Sequence, residues 1–162
     1  MTVRVQTADF DLNAEMALMR QGKPAIGALV SFVGVVRDMN EGQSVQAMEL
    51  EHYPGMTEKS LEQIVQQAQQ RWQLMDVLVI HRVGALMPLD QIVLVIVASR
   101  HRGEAFAACE FIMDYLKTQA PFWKKEQTPA GARWVDARET DDQALQKWTQ
   151  GTDMDTDAGG KA

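Results

Sequence analysis

The sequence predicts an α+β fold, in which strands joined by hairpins accompany separate helices. Short apolar segments rich in β-branched residues indicate several strands. Longer segments carry apolar residues at helical spacing and indicate amphipathic helices. Turn residues such as those of "TPAG" (128–131) separate neighbouring extended segments, which favours hairpins. Strands and helices mixed in this way are typical of the α+β class.

The first half of the chain contains three predicted strands and two predicted helices. The strands cover residues 3–7, 25–38 and 45–53, and the helices cover residues 11–22 and 57–72. Gly27 and Gly34 indicate a bend, a bulge or a close backbone contact in the second strand. Residues 39–43 form a predicted polar turn, and Thr57 is the predicted cap of the second helix. The predicted buried face of that helix comprises Leu61, Ile64, Val65 and Ala68.

The second half continues with strands, the clearest helix and a hairpin. Residues 77–83 and 91–99 are predicted strands, and the second is apolar nearly throughout, as expected of a central strand. The helix covers residues 103–118, and its apolar positions are Ala105, Cys109, Ile112 and Leu116. Two extended pieces follow, "FWKKEQ" and "ARWVDA", as a predicted hairpin. Residues 140–148 are predicted to form a final helical turn or two.

Length and composition predict one domain. The chain has 162 residues, of which 46% are hydrophobic and 23% charged, the balance of an ordinary globular protein that buries its own core. We expect residues 1–150 to form that domain. The remaining residues, 151–162, are polar and glycine-rich, and we expect a disordered tail.

The net charge of −6 and the pI near 5.0 argue against binding to nucleic acid or to an anionic membrane through the overall field. Cys109 is the only cysteine, so no internal disulfide is possible, which fits a reducing cytoplasm. The N-terminus lacks an apolar signal segment, and no apolar run approaches the length of a membrane span. We therefore expect a cytoplasmic protein.

Familiar catalytic motifs are absent from the sequence. It contains no GxxxxGK[ST] phosphate loop and no GxGxxG, HExxH or GxSxG pattern. The three histidines, His52, His81 and His101, are scattered and have no cysteine partners at metal-binding spacing, so we expect no metal site. Cys109 lies on the predicted apolar helix face, where a core residue is expected rather than a nucleophile.

The segment "SRHRGEAF" (99–106) predicts an anion site. It places Arg100, His101 and Arg102 where a buried strand ends and a helix begins. Free amide groups and the positive end of the dipole at a helix start favour anions, and the side chains add charged donors. The alternative is that the arginines face solvent or pair with Glu104.

The segment "YLKTQAPFWKKE" (115–126) brackets an apolar turn with lysines. Lys117 ends the long helix, whereas Lys124 and Lys125 are neighbours on a strand and therefore point to opposite faces. Pro121 ends the helix, and Phe122 and Trp123 are expected to anchor the turn. If Lys117 and Lys124 meet, the pair either binds an anion or gives one lysine a lowered pKa, as a base or nucleophile needs.

Six motifs in this order resemble the family of large, catalytic subunits of molybdopterin synthase over roughly residues 3–150. They are "GALVSFVGVVRD", "LEHYPGMTEKSL", "VIHRVGAL", "SRHRGEAFAACEFIMDYLK", "APFWKKE" and "RWVDAR". The resemblance implies an α/β-hammerhead core with additional antiparallel hairpins. It also implies sulfur transfer that converts cyclic pyranopterin monophosphate (precursor Z) to molybdopterin, without a cofactor. The implied donor is the C-terminal thiocarboxylate of a small ubiquitin-like subunit, which joins a dimer of large subunits in a heterotetramer.

Carried over motif by motif, the resemblance implies a set of substrate-binding positions. These are Val35, Val36, Arg37, His101, Arg102, Lys117, Lys124, Lys125, Glu126 and Arg138. Val35 stands where relatives often have lysine, so any role of Val35 would be through its backbone. Arg37, His101 and Arg102 would hold the phosphate, and Lys117 and Lys124 would be catalytic, with Lys117 in the direct role.

Two other functions are compatible with parts of the pattern. A phosphate-ester hydrolase could use the Arg–His segment, although no metal ligands or clear carboxylate pair accompany it. A non-enzymatic adaptor for a ubiquitin-like protein would explain the apolar turn but not the separate basic motifs.

Overall fold

The computed structural model describes residues 1–40, 42–44, 46–135 and 139–150. The strands are β1 Thr2–Gln6, β2 Ala28–Val35, β3 Met39–Asn40, β4 Gln43–Ser44, β5 Ala47–His52, β6 Leu74–Arg82, β7 Gly84–Leu86, β8 Gln91–Ser99, β9 Phe122–Thr128 and β10 Gly131–Val135. The helices are α1 Leu12–Arg20, α2 Met56–Arg71, α3 Arg102–Gln119 and α4 Glu139–Gln150. The predicted α+β class is confirmed, and so are the elements that the periodicity indicated.

Two sheets of four strands each are present in the described residues. The one with the longer strands, which we call the larger sheet, forms the centre of the molecule and has the strand order β1-β6-β8-β2. Only β1 and β6 are parallel, and β8 pairs antiparallel with both of its neighbours. Every residue of β8 after Gln91 is buried, as predicted for a central strand. Its apolar side chains point alternately to the two faces, because side chains alternate along a strand. Both faces must therefore be covered.

Helices α2 and α3 cover one face of this sheet and α1 covers the other. The first core contains Val77, Val79 and the buried face of α2, and the second contains Leu78, Ile80 and Met19 of α1. All four residues predicted for the buried face of α2 are buried, as are all four predicted for α3. Burial of these apolar helix faces contributes the main stabilisation, since transfer of apolar side chains from water dominates folding.

The smaller sheet has the order β10-β9-β5-β7 and is antiparallel throughout. The predicted hairpin is confirmed as β9 and β10, which are joined at residues 129–130. The segment predicted to be a polar turn contains the short β3–β4 pair. Because only two residues separate the end of α3 from the start of β9, this sheet lies against the end of that helix.

The prediction for Thr57 was wrong in one respect. Gly55, with a φ of 83°, is the N-cap of α2, and its N–H donates to the Glu58 carboxylate at 2.6 Å. Thr57 lies within the first turn and is 0% exposed. Its hydroxyl donates a hydrogen bond outside the helix, to the carbonyl of Pro121, which follows the end of α3.

The glycine predictions are confirmed. A Cβ at Gly27 would lie 2.1 Å from the Arg100 carbonyl oxygen, which is the close backbone contact. The β2–β8 register shifts at Gly34 and Val35, which is the bulge. The tail predicted for residues 151–162 lies outside the described residues. Among the helices that are described, none combines the length and apolar character of a membrane span.

Candidate functional site

A cleft of about 400 Å³ opens at the start of α3. Its lining consists of Gly27, Arg100, His101, Arg102 and Gly103. His101 is the N-cap of α3, with extended backbone and no side-chain hydrogen bond to the helix. The first amide groups of the helix therefore have no capping side chain and remain free to bind an anion.

Gly27 determines the shape of this cleft. Its N–H donates to the Ser99 carbonyl at 3.0 Å, and its Cα lies against the Arg100 carbonyl with no room for a Cβ. This contact fixes the backbone where β8 turns into α3. The direction in which Arg100 and Arg102 project follows from that fixed backbone.

The basic side chains that line the cleft are exposed. We call Arg100, His101 and Arg102 the helix-start cluster. Within the described part of the chain, none of the three has an ion-pair partner. Glu104, the alternative partner, accepts a hydrogen bond from the Ser99 hydroxyl at 3.1 Å. Cations at the positive end of a helix repel the dipole, so this arrangement favours a bound anion.

A second basic group lies around the junction of α3 and β9. We call Lys117 and Lys124 the turn cluster. Lys117 lies in the last turn of α3, and Lys124 is the third residue of β9. Both ammonium groups act electrostatically on the buried ring of His81. The predicted approach of Lys117 and Lys124 to one another stays a prediction.

His81 lies on β6, on the face that α3 covers, and only 4% of it is exposed. Its ring stacks on Phe122, with centroids 3.9 Å apart and planes at 23°. Burial, together with the smaller effect of the positive charges of Lys117 and Lys124, lowers the pKa of His81 to about 3. The imidazole is therefore neutral at physiological pH, so two lysines adjoin a group that adds no charge.

Strand β9 separates the two neighbouring lysines, as predicted. Lys124 shares a face with Phe122 and Glu126, whereas Lys125 points to the opposite face. There the Lys125 ammonium lies 5.8 Å from the centre of the Trp134 ring. A cation over an indole face is stabilised by the ring quadrupole, which gives Lys125 a structural role on that face.

Two expectations for β9 need refinement. Glu126 is 5% exposed, and its carboxylate pairs with Arg133 at 3.2 Å on the adjacent strand β10. The buried carboxylate of Glu126 therefore pairs with a partly exposed guanidinium near Lys124. Trp123 does not anchor the turn: it is 49% exposed on the outer face, and Phe122 alone packs inward.

Arg37 follows the bulge at the end of β2. The Val36 N–H donates to the Asp90 carbonyl at 2.9 Å, and the Val36 carbonyl accepts from Leu89 at 2.8 Å. Val36 is thus buried and bonded on both sides, and Val35 is exposed at the bulge. These contacts direct Arg37 outward. Arg138, the remaining position of the implied set, lies outside the described residues.

Within one chain, the helix-start and turn clusters lie at opposite ends of helix α3. Strand β8 leads from Gln91, beside Val35, to Ser99, beside the helix-start cluster. Eight residue steps of a strand span about 27 Å. Helix α3 returns along the sheet, and the fifteen steps from Arg102 to Lys117 span about 22 Å. Arg37 therefore lies at the same end of the central sheet as the turn cluster, away from the helix-start cluster.

Cys109 is buried, as predicted, and desolvation raises the pKa of its thiol to about 11. A thiol that stays protonated at neutral pH is no nucleophile. His81 and Thr57 were not among the predicted site residues, although both contact the turn beside the lysines. One sequence signal was available for His81: a lone histidine in the apolar strand "VLVIHRV" must be buried.

The fold and these two clusters define an α+β protein with basic side chains grouped at two places. Residues 5–119 match the family model described as "MoaE protein". The chain is 70% identical over 152 residues to the molybdopterin synthase catalytic subunit of Ralstonia nicotianae, covering 94% of this chain and 86% of that protein.

Solved structures agree with this match. The MoaE protein of Burkholderia ambifaria has a TM-score of 0.79 and 64% identity, covering 91% of this chain and 97% of that chain. A complex of subunits 1 and 2 of molybdopterin-converting factor from Helicobacter pylori contains a chain with the same fold, with a TM-score of 0.68 and 18% identity. The match covers 84% of this chain and 91% of that one.

The chain belongs to the MoaE family, whose members above are molybdopterin synthase catalytic subunits. It is therefore an enzyme subunit, and the adaptor and hydrolase alternatives have no support among these relatives.

Proposed function

We propose that the chain converts cyclic pyranopterin monophosphate to molybdopterin by accepting two sulfur atoms in turn from the C-terminal thiocarboxylate of a small ubiquitin-like subunit. The observation that carries the proposal is that Lys117 and Lys124 flank the two-residue connection between α3 and β9, where the neutral ring of His81 stacks on Phe122. Each sulfur transfer leaves the partner with an ordinary carboxylate, whose new oxygen comes from water. Both partner and substrate are anionic, which suits basic clusters on an acidic protein.

In this proposal the helix-start cluster holds the phosphate of the substrate. Free amides at the start of α3 and the forked guanidinium of Arg102 are suited to phosphate oxygens. Firm phosphate binding also retains the half-sulfurated intermediate while one partner tail leaves and the next arrives.

The turn cluster receives the thiocarboxylate tail. One lysine attracts the anion, and the other transfers a proton as sulfur attacks and the partner carboxylate departs. We assign the direct role to Lys117, because it combines the helix end with the apolar turn. His81 stays neutral there and therefore adds no charge of its own to the turn cluster.

One substrate cannot reach both clusters of a single chain, because they lie more than about 20 Å apart along α3. We therefore propose that each site combines the turn cluster and Arg37 of one protomer with the helix-start cluster of a second copy. A homodimer with one small subunit bound at each end would then form a heterotetramer.

The direct test incubates the protein with a thiocarboxylated partner and the cyclic pyranopterin substrate and measures dithiolene product. Lys117→Ala is expected to lower product formation about 100-fold or more while partner binding persists. Arg102→Ala is expected to weaken substrate retention about 10- to 100-fold, since charged hydrogen bonds are lost. Near-normal product formation by Lys117→Ala would contradict the catalytic assignment.

A mixing experiment tests the shared site. Lys117→Ala and Arg102→Ala are unfolded and refolded together, so that half of the dimers contain one copy of each. Such a dimer has one intact site, so about one quarter of wild-type activity should return. Two variants that stay as inactive together as apart would contradict the shared site.

We further propose that the reaction takes place in the cytoplasm and needs no bound metal or organic cofactor. Support comes from the single, buried Cys109 and from charges on the protein that match both anionic reactants. Activity that chelator treatment abolishes, and that added metal restores, would contradict the second part.

A further inference from the structure

Only two residues, Ala120 and Pro121, connect the helix of Lys117 to the strand of Lys124. The Phe122 N–H donates to the Ala120 carbonyl at 2.9 Å, which closes this connection into a tight turn. Lys117 lies three residues before the turn, and Lys124 shares the inward face of β9 with Phe122. Any rotation of the turn therefore changes the separation of the two ammonium groups.

Thr57 holds this turn from the side of α2. Its hydroxyl donates to the Pro121 carbonyl at 3.0 Å and accepts the Tyr53 N–H at 2.9 Å. The residue is 0% exposed, so no water can replace either bond. A buried hydroxyl with one donor and one acceptor bond fixes the position of the carbonyl relative to the helix.

His81 holds the same turn from the side of the large sheet. Its ring lies flat on Phe122, and its Nδ1 donates to the Arg82 carbonyl at 2.9 Å. A carbonyl only accepts, so the proton of the neutral ring is on Nδ1 and Nε2 keeps its lone pair. The hydrogen bond sets the ring plane, and the ring plane sets the position of Phe122.

We propose that Thr57 and His81 are positioning residues, which set the distance and direction between Lys117 and Lys124 by holding the Pro121–Phe122 turn on two sides. The two belong to different elements, and neither is among the predicted site positions. This role rests on the proposed function, because it matters only if the two lysines act together. Misplacing a catalytic group by about 1 Å can lower a rate about 100-fold.

Thr57→Val and Thr57→Ser form a matched pair for the test. Valine keeps the shape and removes the hydroxyl, whereas serine keeps the hydroxyl. The measurement is the single-turnover rate of sulfur transfer at saturating thiocarboxylated partner and pterin substrate, with the affinity for each determined separately. Thr57→Val is expected to slow the step about 10- to 100-fold, with both affinities within about threefold of wild type. Thr57→Ser should restore the rate to within about threefold.

A double variant separates positioning from a general loss of structure. If Thr57 acts through the lysines, Thr57→Val should change the residual rate of Lys117→Ala by less than about threefold. A full additional loss in that background would show a merely structural role and overturn the proposal. So would a wild-type rate for Thr57→Val, or equal losses for valine and serine.

His81→Phe is the second variant, because Thr57→Val leaves two buried polar groups without a partner and can fail to fold. Phenylalanine keeps a ring against Phe122 but loses the bond to Arg82, so a folded His81→Phe protein should slow the same step about 5- to 10-fold. An unchanged rate would overturn the role of His81. A wild-type protein that forms no dithiolene product would reject the proposed function itself, and an active Lys117→Ala would reject the catalytic assignment on which this proposal rests. An inactive Lys117→Ala with a normal Thr57→Val rejects only the positioning role.

Discussion

Two glycines line the same cleft, and replacing each by alanine should have opposite effects on stability. At Gly27, the new Cβ would lie 2.1 Å from the Arg100 carbonyl oxygen. Ordinary contact requires roughly 1 Å more, and the obstacle is backbone, which cannot rotate away as a side chain does. At Gly103, in the first turn of α3, no atom lies within 4 Å of the new Cβ.

Overpacking of this kind costs about 1–3 kcal/mol, so Gly27→Ala should lower the midpoint of thermal unfolding by about 3–10 °C in a chain of this length. Gly103→Ala restricts the unfolded chain without a clash and should stabilise by about 0.4–1 kcal/mol, raising the midpoint by about 1–4 °C.

The assay is thermal and urea unfolding of both variants and wild type, without added phosphate or pterin. If the slope of the free energy of unfolding against urea concentration is unchanged, the substitution affects the folded state and not the unfolded chain. A Gly27→Ala protein as stable as wild type would refute the claim that the Gly27–Arg100 contact fixes the cleft. Equal destabilisation by both variants would refute it as well, since Gly103 has open space around it.

Three further predictions concern buried groups. The unfolded chain binds a proton at His81 more readily than the folded protein does, so the free energy of unfolding should fall as the pH drops from about 6.5 towards 3 and should not depend on this residue above that range. His81→Phe should therefore make the free energy of unfolding less dependent on pH between these values. Trp148→Phe removes the indole bond to the Asp114 carboxylate at 2.7 Å and should cost about 1.5–3 kcal/mol in urea unfolding, whereas an unchanged stability would mean that α4 is held by ring packing alone. Cys109→Ser should remain active but lose about 1–3 kcal/mol for its buried hydroxyl, and an inactive, fully folded variant would return the thiol to the mechanism.

Local patterns predicted most of the fold. Alternation at period 2 and apolar spacing at period 3.6 identify the buried faces of α2, α3 and β8, because each pattern depends only on the geometry of its own element. The same reasoning separated Lys124 from Lys125 without any tertiary information. The basic segments also were visible, since their residues are adjacent in the sequence. What chemistry they serve came from the resemblance of six motifs to one family.

The apolar faces that are buried, the basic segments and the family resemblance can all be read from the sequence. Packing of the elements places the helix-start and turn clusters at opposite ends of α3 and lets Thr57 bond to Pro121 across 64 residues of chain. No periodic pattern carries such information. Contacts between distant segments arise when the two sheets and their helices pack together, and the burial of His81 and its lowered pKa follow from that packing.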